Sequence, residues 1–529
     1  MVVDPNKWSS ASEQEKKQTM LIVAASTAVI ALVAFQRRRQ KRRDQNDQDK
    51  PTLTRNWSFT SEGMRKGVFP EAVQAPATII NAAMYFDKLP SAESLVDEVV
   101  RPLLSYDRFF MIPCPGGLRP SSTGYQPHDL VRTVTVPAGG KDDKDADKLL
   151  HETMYELLED PLNVRGRNEH LKELPFWELV RLETKGTSVV LFRVHHCLGD
   201  GLSLISVFDK IVTQQDGSRS ESRVTKALSS RGNLPQPNFS AILEAIVHVL
   251  TLGQSKHDDA TLFYQQRTSP KLHYNPPNHK LKIELFPTVP FEFIKNLRTA
   301  TKASGIEGIT INDLLMCAMS QAIHDYCKTA KDDVLADKKQ ALQCRALLPV
   351  SLPRKTTSQE RALCNRFCMV SADLSVGYTT VRERLQQIHA TTNFLKTSPR
   401  AFIQLWIQNH IVNRFPSFVA QQTAHDIFSR HSLVLTNVPG PETMVKLAGE
   451  SVVGLQLLFP NVIPQVDLLS YAGNIYGNML YDPTKLGGAP VGSSDGDTHS
   501  MARFYAQALV QLGMEFSVVV PTVITDAAV

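Results

Sequence analysis

LFRVHHCLGDGLSL, residues 191–204, joins two different periodicities. The run that leads into it, Thr187–Val194 (TSVVLFRV), is β-branched and apolar and predicts a strand. After it, Leu202, Ile205, Phe208 and Val212 fall on one helical stripe. In the strand, Val190, Phe192, Val194 and His196 share one face, and Val189, Leu191, Arg193 and His195 share the other. The two histidines therefore point opposite ways, and only one can enter a given cavity. Asp200 stands where a helix N-cap is wanted, and Gly201 is expected to let the backbone turn tightly. Spacing alone leaves two readings open. One is a strand-to-helix turn with a capping aspartate and incidental histidines. The other is a site.

The whole chain sets bounds. Its 529 residues suffice for two or three domains and a large core. The apolar share of 42% and charged share of 21% are those of a globular protein. Net charge is +5, unevenly spread: residues 1–50 hold ten Lys/Arg and six Asp/Glu, leaving 48 basic and 47 acidic residues elsewhere. A nearly neutral body carries no electrostatic footprint for nucleic acid. The seven cysteines (Cys114, Cys197, Cys317, Cys327, Cys344, Cys364, Cys368) are odd in number and scattered, and read as reduced, mostly buried thiols of a cytosol-facing protein. Cys364 and Cys368 have no second ligand pair at zinc-like spacing, so no metal is expected.

The N-terminus predicts a membrane helix. Met20–Phe35 (MLIVAASTAVIALVAF) has no charge and is followed by RRRQKRR, a stop signal rather than the flank of a cleaved leader. Three lysines precede it (Lys7, Lys16, Lys17). Seven basic residues follow it by residue 50, which favours a lumenal N-terminus and a cytosolic body. Residues 36–60 are polar and read as a tether, and the chain reads as folded from about residue 75. Ser91–Leu104 is a capped helix with Leu95, Val99 and Leu103 on one face. Residues 213–235 suit a crossover, and Phe239–Leu252 reads as a packed helix or a second membrane contact. The expected organisation is 1–60 anchor and tether, 75–230 first subdomain, 231–280 crossover with an apolar helix, and 281–525 second subdomain.

Several stretches together carry a resemblance. His195-His196-Cys197-Leu198-Gly199-Asp200-Gly201 resembles the HHxxxDG signature of CoA-dependent acyltransferases and peptide-synthetase condensation domains. Asp160-Pro161-Leu162 with Leu174-Pro175-Phe176-Trp177-Glu178 is similar to the "PL…PLWE" segment of the bifunctional wax ester synthase/diacylglycerol acyltransferase family. Thr310–Leu314 (TINDL) resembles its "VNDV" segment, Arg345–Ser351 (RALLPVS) its "RALVPVS" strand, Thr436–Pro441 (TNVPGP) its "SNVPGP" turn, and Ser470–Asn474 (SYAGN) its "SYAG" strand. The matches keep the family's order over residues 75–485. There are departures: Phe176 replaces a leucine, and Cys364-Asn365-Arg366 stands where a Gly-Asn pair is usual. These are expected to blur acyl-chain preference and leave the chemistry intact.

The resemblance implies an α/β, two-domain chloramphenicol-acetyltransferase-like fold with an interdomain tunnel, added to the N-terminal membrane helix. It implies transfer of a fatty acyl group from acyl-CoA to a lipid alcohol (long-chain alcohol, diacylglycerol or both). It assigns the general base to His196, with no nucleophilic serine or cysteine, no cofactor and no metal. A histidine suits the task because its unperturbed pKa of about 6.5 lies near working pH. His195 and Asp200 are expected to support the loop, Asp200 through an arginine or backbone amides, with Gly201 completing the motif. Asn312 and Asp313 are either a capping box with Thr310 or substrate-binding residues. The expected location is a membrane, that of the endoplasmic reticulum, with the body facing the cytosol. A condensation-type enzyme and a non-catalytic lipid-surface protein are the alternatives, and oligomeric state is open.

Overall fold

The computed structural model describes residues 55–136, 143–160, 162, 173–184, 187–219, 243, 246–247, 256–263, 281–352, 363–483, 485–486 and 500–529. Two mixed sheets organise it. The first has five strands in the order Gly454–Leu458, Ile79–Phe86, Ser188–His195, Trp177–Glu183 and Val131–Thr135. The second has seven. Its path runs Asn474–Tyr481, Gln465–Tyr471, Leu433–Pro439, Arg345–Ser351 and Phe367–Asp373, and two short strands pair with Asn474–Tyr481.

The strand Ser188–His195 has every residue but His195 buried. Val190, Phe192 and Val194 pack with Leu95, Val99 and Leu103, whereas Val189 and Leu191 pack with Leu150, Met154 and Leu157 of the helix Asp143–Glu159. A strand covered on both faces reads as an unbroken apolar run, as this one does. Full burial of each such side chain contributes about 1.5–3 kcal/mol. The helical stretch Ala92–Leu103 begins at Ser91, whose hydroxyl accepts the Ser94 amide at 3.0 Å, and it widens to a π turn over Val96–Val100. The helix Ile311–Thr329 is buried on nearly every side and forms the centre of the largest core.

The halves are interleaved. Gly454–Leu458 comes from the C-terminal half yet pairs antiparallel with Ile79–Phe86 in the first sheet. Just before it, Val445–Leu447 pairs with Val212–Gln214.

Two expectations are corrected here. Folded structure begins by residue 55, not 75, so residues 55–60 are no tether. Arg55–Asn56 is a strand and Phe59–Lys66 a helix. Trp57 Nε1 donates to the Cys114 carbonyl at 3.0 Å, and Ser58 caps the helix on the Ser61 amide. The segment is polar, so hydropathy hides that its amides and indole are satisfied by the body. Residues 256–263, placed in a crossover, are pinned instead: Asp258 accepts the Arg345 and Ser432 amides at 2.7 and 3.0 Å, and Phe263 is fully buried. The uncharged run Met20–Phe35 and most of Phe239–Leu252 lie outside the described residues. Among the described residues, no helix is long and apolar enough to cross a membrane.

Candidate active site

The first-sheet strand ends at His195, and the next five residues make a loop into the helix Gly201–Ile211. The loop is held from three directions. Thr78 carbonyl accepts the His196 amide at 2.7 Å. The buried Arg108 guanidinium donates to the carbonyls of Cys197 and Leu198 at 3.0 and 2.9 Å. From the C-terminal half, the Cys364 carbonyl accepts the Asp200 amide at 3.3 Å and the Ser203 hydroxyl at 2.7 Å.

Asp200 is the N-cap. Its Oδ1 accepts the amide and hydroxyl of Ser203, both at 3.0 Å, and its Oδ2 accepts the Arg366 amide at 2.9 Å. Of the two partners anticipated, backbone amides supply these bonds, and the arginine at position 366 contributes its main chain. Gly201 does not make the tight turn expected of it. It is the first helical residue, and a Cβ there would meet only Val438, at 4.0 Å. Gly199 is the constrained glycine, because a Cβ would lie 3.1 Å from the Ser203 Cβ and 3.5 Å from Leu363.

His196 enters a cavity of about 1500 Å³ between the two sheets, beyond the roughly 300–1,000 Å³ usual for small-ligand sites. Phe192, Val194, Leu202, Leu457 and Phe459 are among its apolar lining. The imidazole packs against Phe367 at 5.3 Å and edge-on to Phe459 at 5.8 Å. Burial holds its pKa below the ordinary histidine value, although Asp200 pulls the other way. Burial thus favours the neutral ring.

Its tautomer follows from a residue whose role the sequence did not disclose. Asn365 Oδ1 lies 3.0 Å from His196 Nδ1. The Asn365 Nδ2 donates to the His196 carbonyl at 2.7 Å and to the Ser61 hydroxyl at 3.0 Å, which fixes the amide with its oxygen toward the ring. Nδ1 then carries the proton, and Nε2 presents a lone pair. Asn365 was visible only as part of a departure from the motif; its separation from His196 in the chain left no local signal.

His195 is placed apart from the cavity lining. Its Nδ1 accepts the Cys197 amide at 3.2 Å, and its Nε2 faces the Thr78 hydroxyl at 3.4 Å. Burial, with His196 and Arg65 nearby, pushes its pKa down to about 4. Cys197 is no nucleophile either, since burial pushes its thiol up to about 12. A Gly-x-Ser-x-Gly string does occur, at 492–496, but outside the described residues.

The Asn312–Asp313 pair divides. Asn312 lines the cavity, and its Oδ1 accepts from Asn437 Nδ2 at 2.5 Å. Asp313 takes the capping alternative and not the substrate-binding one: it is a buried structural acceptor, absent from the cavity lining. Thr310 and Asp313 form a capping box, and the same carboxylate meets His389 Nδ1 at 2.9 Å and the Thr392 hydroxyl at 2.6 Å. A helix N3 aspartate points back at the cap, which is why the adjacent asparagine alone reaches the cavity. The Phe176-Trp177-Glu178 stretch is likewise structural. Trp177 Nε1 donates to the Phe109 carbonyl at 2.7 Å, and Glu178 pairs with the buried Arg193 at 2.7 Å.

A family model described as the WS/DGAT C-terminal domain matches residues 363–486. Wax ester synthase/diacylglycerol acyltransferase 1 of Arabidopsis thaliana is 22% identical over 343 residues, 59% of this chain and 68% of that protein. Among solved structures, the wax ester synthase/diacylglycerol acyltransferase from Marinobacter aquaeolei VT8 aligns with a TM-score of 0.52 at 14% identity, over 88% of this chain and all of that one. Trichothecene 15-O-acetyltransferase from Fusarium sporotrichioides gives 0.53 at 12% identity, over 87% of this chain and 94% of that one. These likenesses show the two-domain α/β fold of condensation domains and chloramphenicol-acetyltransferase-like enzymes.

Proposed function

The chain is an acyltransferase of the wax ester synthase/diacylglycerol acyltransferase family, and from that premise we propose that it moves a fatty acyl group from acyl-CoA directly to a lipid alcohol. The acceptor is a long-chain alcohol, a diacylglycerol or both. The observation that carries this reading is His196, oriented by Asn365, inside a large apolar cavity.

Nε2 takes the proton of the acceptor hydroxyl as its oxygen attacks the thioester carbonyl. The tetrahedral intermediate collapses, the carbon–sulfur bond breaks, and the imidazolium returns the proton to the coenzyme A thiolate. The Nδ1–H bond to Asn365 steadies the ring in both charge states. Asn312 and Asn437, joined to each other and facing the cavity, supply amide donors toward the developing oxyanion. The apolar walls suit acyl chains and exclude the water that would hydrolyse the thioester.

The same reading includes the membrane. The uncharged Met20–Phe35 and the basic block after it support an N-terminal anchor with the catalytic body on the cytosolic side.

The test is an assay of the purified full-length chain with radiolabelled acyl-CoA and a panel of long-chain alcohols, diacylglycerols and amines. Ester formation with an alcohol or diacylglycerol is expected. Products confined to amides would move the chain to condensation chemistry, and no transfer at all would leave only a lipid-binding role.

A further inference from the structure

One flank of the cavity is covered by the end of the helix Val381–Thr397 and by the helices Arg400–His410 and Ser417–Phe428. These helices break the usual pattern of a surface helix, apolar inside and polar outside. In Arg400–His410, Ala401 and Leu405 are buried against Leu352, Cys368 and Val370, and Ile403 and Ile407 against Ile246, Ile411 and Val412, yet Phe402 and Trp406, four apart, are 45% and 49% exposed. Phe418, on the next helix, is 66% exposed, and Phe394, near the end of the preceding one, 45%. Single exposed apolar residues are ordinary, but four large aromatics on adjoining helices mark a contact surface. Phe402 and Trp406 also line the cavity, so the surface surrounds an entrance.

Charge identifies the partner. From residue 384 to residue 425 the sequence has no aspartate or glutamate. Lys396 and Arg414 are exposed there, and the Arg400 guanidinium lies 4.6 Å over the Phe394 ring. A second copy docking through this same face would set these cations against their own equivalents with no carboxylate to answer them. Aromatic side chains interspersed with Lys and Arg match instead the interface of an anionic bilayer.

Chain path gives an independent indication. The helix Phe59–Lys66 packs on both Arg400–His410 and Ser417–Phe428, and Gln421 Nε2 donates to the Gly67 carbonyl at 3.1 Å. The earliest described helix, downstream of the uncharged Met20–Phe35 and the basic block, is therefore packed against the aromatic helices.

We propose that the face formed by Phe394, Phe402, Trp406 and Phe418 docks on an anionic lipid bilayer, and that the lipid acceptor passes from the bilayer into the cavity past Phe402 and Trp406. This rests on the acyl-transfer reading for the identity of the acceptor, but the docking itself is measured without catalysis.

The experiment uses the full-length chain with phosphatidylcholine/phosphatidylserine vesicles whose acyl chains carry bromine, a contact quencher of tryptophan. The Trp406 signal is obtained as parent minus Trp406→Phe. It should be quenched, as for a side chain at the roughly 5–10 Å depth of an interfacial helix. The double variant Phe394→Ser/Phe418→Ser, at positions outside the cavity lining, should weaken docking on the order of tenfold or more. It should keep the parent's melting temperature and its turnover of a short, water-soluble alcohol. An unquenched Trp406 on vesicle-bound protein overturns the proposal and leaves Met20–Phe35 as the sole membrane contact or as the cover of this face. Equal quenching in parent and double variant overturns it too. So does vesicle-independent, concentration-dependent shielding of Trp406, which would make the partner a second copy. Quenching with no acyl transfer would refute the enzyme reading and spare the docking surface.

Discussion

The carboxamide oxygen of Asn365 stands 3.0 Å from Nδ1 of His196, and 169 residues of chain separate the two. The bond crosses between the halves of the molecule, so the base is poised only when both halves are in place. Replacing Asn365 with aspartate keeps an oxygen beside Nδ1 but introduces a charge and removes the Nδ2 donor. An opposite charge at this distance stabilises imidazolium by roughly 1–3 pKa units. Burial sets the parent's acid limb below the ordinary histidine value. In Asn365→Asp that limb should move to higher pH in the kcat/KM profile. An unshifted profile would remove Asn365 from the mechanism.

His196→Ala tests the base itself. Acyl transfer should fall by about 10²–10⁴-fold, the usual loss for a positioned base. The ring borders an existing cavity, so melting should stay near that of the parent. Near-parent turnover would refute the role.

Asp200→Asn tests the loop. The carboxylate accepts the Ser203 pair through one oxygen and the Arg366 amide through the other, and asparagine can serve only one side. The orphaned amide should cost about 1–3 kcal/mol. Melting temperature and activity should fall together. Lost activity with unchanged melting would indicate direct participation of the carboxylate.

His195 makes stability depend on pH. Its folded-state pKa is about 4, against about 6.5 unfolded, so between those values the unfolded chain binds the extra proton. Stability should fall as pH drops through that window, by about 1.4 kcal/mol per unit for this group. His195→Asn keeps an acceptor for the Cys197 amide and cannot titrate. Its urea-unfolding free energy should be less steep in pH by about one proton, and equal slopes would contradict the assignment.

Removing residues 1–50 spares all described structure. The shortened protein should lose extraction-resistant membrane association but retain a weaker, salt-sensitive one through the aromatic face. Activity on detergent-dispersed substrate should survive. In sealed microsomes bearing the full chain, added protease should digest the catalytic body.

The strand Ser188–His195, the Asp200 cap and the Gly201–Ile211 helix were legible because a β-branched apolar run, a helical stripe and a capping residue are local properties. His196 was legible through its motif. What escaped the sequence was long-range. Asn365 and Arg108 reach the loop from distant segments, and residues 55–67 are ordered by partners such as Cys114 and Gln421. For Asp313 two readings stayed open, because a capping box and a polar substrate pocket use the same residues. No periodicity distinguishes a carboxylate turned to its own helix start from one turned outward.

The strand Gly454–Leu458 has a consequence for traffic. It leaves the C-terminal half and is stitched by a full antiparallel register to Ile79–Phe86 of the other. It works as a hasp: the halves cannot swing apart as jaws without tearing a sheet edge. Cargo must come and go through fixed portals, widened by shifts of the helices over the cavity. Unfolding by heat, for the same reason, should appear in calorimetry as one cooperative transition rather than two.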